Sequence, residues 1–301
     1  MRRFALPAMF IGLGLIWGSS FLWIKIALDE LPPATLVAWR MTLGAVPMVI
    51  LLPFIGRRLP RAPGDLATLA LLGLINTALP IFLISWGEQF VDSGTAAVLN
   101  SMAPLFSVII AGILLRTEPL TVLRVAGVLL GFAGAVLLAS REFALRPDSA
   151  SLIGIAAVAV AAASYAAGAS YASHHIKGMH RFEVAAGSLV FAALYAWALA
   201  LGVEGGISLP TQPGPIIAVL WLGLIGSFVA YLLYFTLIER LGATVAAMVT
   251  YLFPVVGVAL GVIFLGELLD LRLAFGAALV LIGIVVVTLR YDALVRRTTG
   301  R

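Results

Sequence analysis

The sequence predicts an all-α membrane protein whose ten transmembrane helices form two inverted five-helix repeats. Three observations predict it. Of the 301 residues, 62% are hydrophobic and only 11% charged, against about 45–50% and about 25% in ordinary soluble domains. The apolar residues fall in runs close to the roughly 20 residues a membrane-crossing helix needs, separated by short polar breaks. The second half of the chain also repeats the first at a shift of 150 residues: Leu72-Gly73-Leu74-Ile75 recurs as Leu222-Gly223-Leu224-Ile225, Ala96-Ala97 as Ala246-Ala247, and Pro104 as Pro254.

In chain order the spans are expected at about residues 5–28, 32–55, 65–88, 92–115, 119–139, 151–173, 182–203, 214–238, 242–265 and 271–290. The first run follows Met1-Arg2-Arg3 as a secretion signal would. Further spans follow it and no small-residue cleavage site leads into a soluble chain, so it is expected to be retained. The Leu/Ala/Val/Gly runs lack the period-two alternation of barrel strands. A shift of 149 brings Gly127 and Gly134 onto Gly276 and Gly283. The first copy thus covers residues 1–140 and the second 151–290, with 291–301 as a cytoplasmic tail. Five is odd, so the copies enter the membrane from opposite sides, an arrangement that suits alternating access.

Arg and Lys set the orientation. With the N-terminus inside, about 14 basic residues fall on inner segments, among them Arg2, Arg3, Arg57, Arg58, Arg61, Arg116, Arg124, Lys177, Arg181, Arg240, Arg290, Arg296, Arg297 and Arg301; about three, Arg141, Arg146 and Arg272, fall on outer loops. Both termini are expected in the cytoplasm of a bacterial cell, with the chain in its inner membrane. The +5 net charge is read the same way, and not as a nucleic-acid signal. The expected partners are the lipid bilayer and a small-molecule solute, and a monomer suffices for function.

Several chemistries are absent. Without cysteine there is no disulfide and no thiolate metal site. No phosphate cradle occurs, and Gly12-Leu13-Gly14 does not continue as a dinucleotide fingerprint. The three histidines, His174, His175 and His180, sit together at an inner loop and read as solvated or headgroup-facing residues, with a metal or pH-sensing site as the alternative. No catalytic set lies within the spans, so no enzyme activity and no cofactor are expected.

The polar and aromatic residues inside the spans are the informative ones. Trp17, Ser19 and Ser20 fall at mid-depth of the first span, Asn76 and Thr77 in the third, Asn100 and Ser101 in the fourth, and Ser164 and Tyr165 in the sixth. Ser227, Tyr231 and Tyr234 follow in the eighth and Thr250 and Tyr251 in the ninth. An amide in hydrocarbon is costly unless bonded or wet, so Asn76 and Asn100 point inward, either as interhelical links or as solute contacts. Arg40 lies roughly 10 Å inside the outer end of its span. It either faces protein or water as a functional group or snorkels to Asp29, Glu30 or Glu88. Lys25, one turn from Asp29, is expected to snorkel. All 14 carboxylates lie in loops or at helix ends, which points to facilitated flux, with proton coupling through an end-of-helix carboxylate as the alternative. Gly14 and Gly18, Gly127 and Gly131, and Gly257 and Gly261 are small-residue spacings for close helix approach; Pro104 and Pro254 are expected at kinks that act as hinges.

These residues resemble the EamA-type members of the drug/metabolite transporter superfamily over nearly the whole chain. The resemblance is carried by Trp17-Gly18-Ser19-Ser20-Phe21, Trp39-Arg40, Asn100-Ser101-Met102-Ala103-Pro104-Leu105-Phe106, Leu241-Gly242-Ala243, Tyr251-Leu252-Phe253-Pro254 and Leu265-Gly266-Glu267. In the first copy Glu118 follows Arg116-Thr117 where the family often has Leu-Gly-Glu. The resemblance implies an inverted-repeat carrier with a central cavity lined from both halves, exporting metabolites; the YddG-type exporters of aromatic and other neutral amino acids look similar in size. Solute contacts are accordingly expected at Trp17, Ser20, Arg40, Asn76, Asn100, Ser101, Tyr165, Tyr231 and Tyr251. The expected function is export of small neutral amphipathic metabolites, aromatic and other apolar amino acids foremost, by facilitated alternating access. A proton-coupled drug or metabolite antiporter is the alternative within transport, and a membrane-embedded enzyme or lipid scramblase the alternative outside it.

Overall fold

The structure, a computed structural model, describes residues 5–115, 120–176, 178–241, 246 and 248–299, with the side chains of 288–299 outside the description. The calls on Arg2, Arg3, Arg116, Glu118, Lys177, Gly242, Ala243 and the basic residues of the tail lie outside the described residues or side chains.

The described chain is helical throughout and has no strand. Nine helices are long and apolar enough to cross a membrane: α1 Ala5–Ala27, α2 Pro33–Phe54, α3 Pro63–Gly87, α4 Ser93–Leu114, α5 Val122–Leu145, α6 Ser149–His175, α7 Arg181–Val203, α8 Pro213–Leu241 and α9 Met248–Leu265. A further helix, α10, spans Leu271–Thr299. Large apolar side chains such as Leu129, Val136, Val160, Leu194, Ile263 and Phe275 stand exposed around the perimeter, a surface suited to lipid rather than water. Together these make a multi-pass membrane protein.

The helix starts follow the chain's punctuation. Pro33, Pro63 and Pro213 sit at first helical positions, where a missing N–H costs nothing. The hydroxyl of Thr121 and the carboxylate of Asp148 accept from the backbone N–H groups of Arg124 and Ser151 and cap α5 and α6.

Helices n and n+5 take corresponding places. The principal contacts of α3 with α6, α1 with α9 and α2 with α8 recur as α8 with α1, α6 with α4 and α7 with α3, while α2–α7, α4–α9 and α5–α10 map onto themselves. The α5–α10 seam shows how closely. A Cβ on Gly134 would lie 2.6 Å from the carbonyl of Gly276, and one on Gly283 2.6 Å from that of Gly127. The pairs 127–283 and 134–276 are images of one another under the 149-residue shift, crossed as a twofold axis between antiparallel helices requires. Gly134→Ala must push the two backbones apart, so it is expected to cost about 1–3 kcal/mol. A lower unfolding temperature in detergent is the readout; an unchanged one would contradict the seam.

The face where α1 begins is called here the terminal face. The turns 28–32, 88–92, 146–148, 204–212 and 266–270 lie on the opposite face. Two expectations change there. The spacing ended the fifth span near residue 139 and put Arg141 in a loop, but α5 continues to Leu145 with Arg141 fully buried. Its guanidinium is neutralised by Asp92 at 3.0 Å, Glu142 at 2.7 Å and Asp270 at 3.1 Å, and donates to the carbonyl of Leu268 at 2.6 Å. Paired in this way, the charge no longer has to leave the helix. Lys25 does not snorkel to Asp29 either. Its ammonium turns inward and donates to the backbone carbonyls of Glu88 and Val91, the latter at 2.8 Å.

Candidate functional site

A cavity of about 570 Å³ lies between the two halves of the chain. It reaches from Ile24 on α1 and Ile84 on α3, both buried near the opposite face, to the exposed residues Ser107 on α4 and Ala169 on α6 on the terminal side. It is therefore closed at one end and open toward the terminal face.

Breaks in regular helix geometry shape its walls. In α3 the segment Leu74–Ala78 is π-helical, and in α8 so is Trp221–Val229. The first segment falls inside the second under the 150-residue shift. Such a widening shifts the phase of the helix, and Asn76, within the first segment, faces the cavity. Gly168 of α6 makes room for it: a Cβ there would meet Asn76 at 2.6 Å. Helix α4 breaks between Asn100 and Ala103, and α9 passes from a 3₁₀ turn, Met248–Tyr251, to Leu252–Leu265. Pro104 and Pro254 stand at these equivalent breaks, in the first turn of the resumed helix.

Trp17 is the centre of the aromatic wall. Its indole nitrogen donates to the carbonyl of Gly226 at 3.1 Å, joining α1 to α8. Its ring meets Tyr234 at 5.2 Å, Phe253 at 6.2 Å and Tyr231 at 6.4 Å between centroids. Arg40 lies deep in the cavity, its Nε 3.3 Å from the hydroxyl of Ser227. It does not snorkel to an outer carboxylate.

Of the residues singled out from the sequence, Trp17, Ser20, Arg40, Asn76, Asn100, Tyr165 and Tyr231 line this one cavity, as does Pro104. Asn100 presents a buried side-chain oxygen with no hydrogen-bond partner among the described residues. Ser101 does not line it: fully buried, its hydroxyl donates to the carbonyl of Val98 at 2.6 Å within its own helix. Tyr251 is turned aside as well, and its neighbours Thr250 and Phe253 take the wall. Tyr234 and Arg124 also line it. Arg124 had read as an inner-face charge, yet it sits buried at the wide end of the cavity. Among the described residues the lining thus holds two guanidiniums and no carboxylate.

The closed end is sealed by carboxylates that cross from one half to the other. Glu204, after α7, accepts from the backbone N–H groups of Ala34 at 2.8 Å and Thr35 at 2.9 Å and from the Thr35 hydroxyl at 2.7 Å, capping α2. Glu267, after α9, accepts from the N–H groups of Ser93 at 2.6 Å and Gly94 at 2.9 Å, capping α4. Glu30, after α1, accepts from the N–H groups of Thr211 and Gln212 before α8. Those bonds, the Gln212 N–H first, hold the Glu30 carboxyl below the usual carboxylate range. A negative charge at a helix N-terminus meets both free N–H donors and the positive end of the helix dipole.

The sequence pattern of the EamA-like transporter family matches residues 7–140 and again residues 152–289. The chain belongs to this family. An uncharacterized transporter of Archaeoglobus fulgidus is 27% identical to this EamA-like protein over 271 residues, 90% of this chain and 94% of that one. The uncharacterized inner membrane transporter YedA of Escherichia coli is 29% identical, covering 95% and 90%. A protein of Streptantibioticus cattleyicolor named a probable terminal-alkyne amino-acid exporter is 28% identical, covering 95% and 91%. One solved crystal structure superposes with a TM-score of 0.68 over 97% of this chain and 99% of that one at 22% identity, a likeness of fold. Family and relatives alike point to membrane transport rather than catalysis.

Proposed function

We propose that the chain is a ten-helix carrier made of two inverted five-helix copies, residues 1–140 and 151–290. It exports small neutral amphipathic metabolites, aromatic and other apolar amino acids foremost, across the inner membrane of a bacterium. Both termini and the 291–301 tail lie in the cytoplasm, so the cavity faces the cytoplasm and the carboxylate-sealed face lies outward. The crossed glycine pairs of α5 and α10 support the inverted arrangement, and the basic residues of the inner segments support the orientation.

The carrying observation is the cavity's composition. A volume of about 570 Å³ falls in the range of small-molecule sites, roughly 300–1,000 Å³. Trp17, Tyr165, Tyr231, Tyr234 and Phe253 offer rings for an apolar side chain; Asn76, Asn100 and Ser20 offer hydrogen bonds; Arg40 offers a fork for a carboxylate. Among the described residues no carboxylate lines the path, which supports a solute that moves down its own gradient. The amino-acid exporter among the relatives is in keeping with that solute class. Pro104 and Pro254, at equivalent breaks, are the hinges about which the halves rock.

Arg40 supplies the test. A charge-assisted hydrogen bond contributes about 1.5–3 kcal/mol, and each 1.4 kcal/mol is about tenfold. Arg40→Ala is therefore expected to raise KM for an aromatic amino acid in proteoliposomes about tenfold or more, and that for its methyl ester about twofold at most. Equal effects on both would reduce Arg40 to its bond with Ser227. Uptake that stops when the pH gradient is collapsed would contradict the facilitated reading.

A further inference from the structure

With no carboxylate near a span centre, a titrating group is expected only at a helix end, and the structure places one there. Glu88 follows the last turn of α3 and is fully buried, and neither of its carboxyl oxygens has a hydrogen-bond partner among the described residues. It belongs to the septum that separates the cavity from the sealed face. Ile84, one turn earlier, lines the cavity's closed end; Glu267, the α4 cap, stands beyond it. The charged groups that act on it are Lys25 from α1, Glu267 from the α9–α10 turn and Arg40 from α2. From α6 it meets no titratable group: Gly87 packs there against Gly154, Val158 and Ala157. Asp92, four residues on, is turned to Arg141 and Arg146.

Lys25 forms no ion pair with the carboxyl in this closed state. Its ammonium is held by the backbone carbonyls of Glu88 and Val91. A buried ionised carboxylate without a hydrogen-bond partner costs several kcal/mol, whereas the neutral acid costs far less. Burial accordingly holds the Glu88 carboxyl well above the usual carboxylate range, against the opposing pull of Lys25.

We propose that Glu88 is a proton-binding site of the closed septum: the carboxyl holds a proton while the opposite face is sealed, gives it up to water at that face when the septum parts, and recovers it on closing. On opening, the O–H bond breaks, the proton passes to water, and the Lys25 ammonium, freed from its two carbonyls, pairs with the carboxylate. Proton release and recovery occur on one side, so solute flux needs no proton gradient, yet opening is tuned by the pH outside. This rests on the alternating-access reading above. The sign follows from linkage. The closed state binds the proton more tightly, so it is favoured at low pH, and opening gains as pH rises from the ordinary carboxylate range to the raised value of the closed state. One linked proton gives about a tenfold change in the open-to-closed ratio per pH unit inside that window.

Infrared difference spectroscopy of the purified protein reads the proton itself, whether or not the protein transports. A protonated-carboxyl band is expected to persist above the ordinary carboxylate range, lost in Glu88→Gln and kept in Glu142→Gln, a second buried acid. No such band in the wild type, or one that survives Glu88→Gln, would overturn the proposal and leave the transport reading standing. A second measurement follows opening. Labelling of Ala103→Cys from the sealed side, each rate divided by the thiolate fraction at that pH, should rise about tenfold per pH unit in the otherwise unaltered protein and stay flat when Glu88→Gln is added. A parallel rise in both proteins would also overturn it.

Discussion

Removing both Glu204 and Glu267 is expected to turn the carrier over. Each carboxylate accepts at least two backbone N–H bonds at the start of a helix in the other half, and each such charged interaction contributes about 1.5–3 kcal/mol. Together Glu204→Ala and Glu267→Ala should shift the balance toward opening of the sealed face by about a hundredfold or more. Spin labels on the turns at Phe90 and Leu268 read this directly. Their distance distribution should move to longer separations in the double variant, with each single variant between. An unchanged distribution would mean that apolar packing, not these caps, holds the face shut. The terminal face has no matching set among the described residues; there Arg181 pairs with Glu239 inside the second half. That asymmetry between the faces is why the cavity opens where it does.

Trp17→Ala is expected to lower flux of aromatic amino acids about thirtyfold to a hundredfold. The indole removes apolar surface from water, makes three ring contacts and bonds to Gly226. Losing the solute's share of that wall amounts to about 2–3 kcal/mol. Trp17→Phe keeps a ring against Tyr234 and Phe253 but loses the bond to Gly226, and should retain more than half the affinity loss's difference from alanine. Initial rates in proteoliposomes, with the unfolding temperature as control, measure both. Unchanged flux in Trp17→Ala would take the residue out of the solute path; a collapse in stability would mark it as interhelical packing.

How much of this was legible depended on where helices stay regular. The spans, the repeat and the inward side of α1, α2 and α6 follow from hydropathy and spacing, and Trp17, Arg40 and Tyr165 fall on one cavity accordingly. The spacing argument fails where the helix period changes. Ser101 is next to Asn100 at a break in α4, and the break turns its hydroxyl back onto Val98. Tyr251 ends a 3₁₀ turn whose period of 3.0 residues sends it away from the wall that Thr250 and Phe253 form. The π-helical stretches of α3 and α8 leave no mark in hydropathy. Charges were misplaced for another reason: Arg141 and Lys25 read as polar ends, but partners distant in sequence let them be buried. Glu88 read as one of many helix-end carboxylates because nothing in its neighbourhood along the chain shows that Lys25, Glu267 and α6 enclose it.

The central claim is that one mostly uncharged chamber is reached from one face at a time. Because the chain has no cysteine, Ala103→Cys gives a clean probe inside the cavity. A membrane-impermeant maleimide should label it from the terminal face in the otherwise unaltered protein and from the sealed face once Glu204 and Glu267 are removed, with an aromatic amino acid protecting it in both cases. Equal labelling rates from the two faces in the unaltered protein, or a preference for the terminal face that persists in the double variant, would contradict the account.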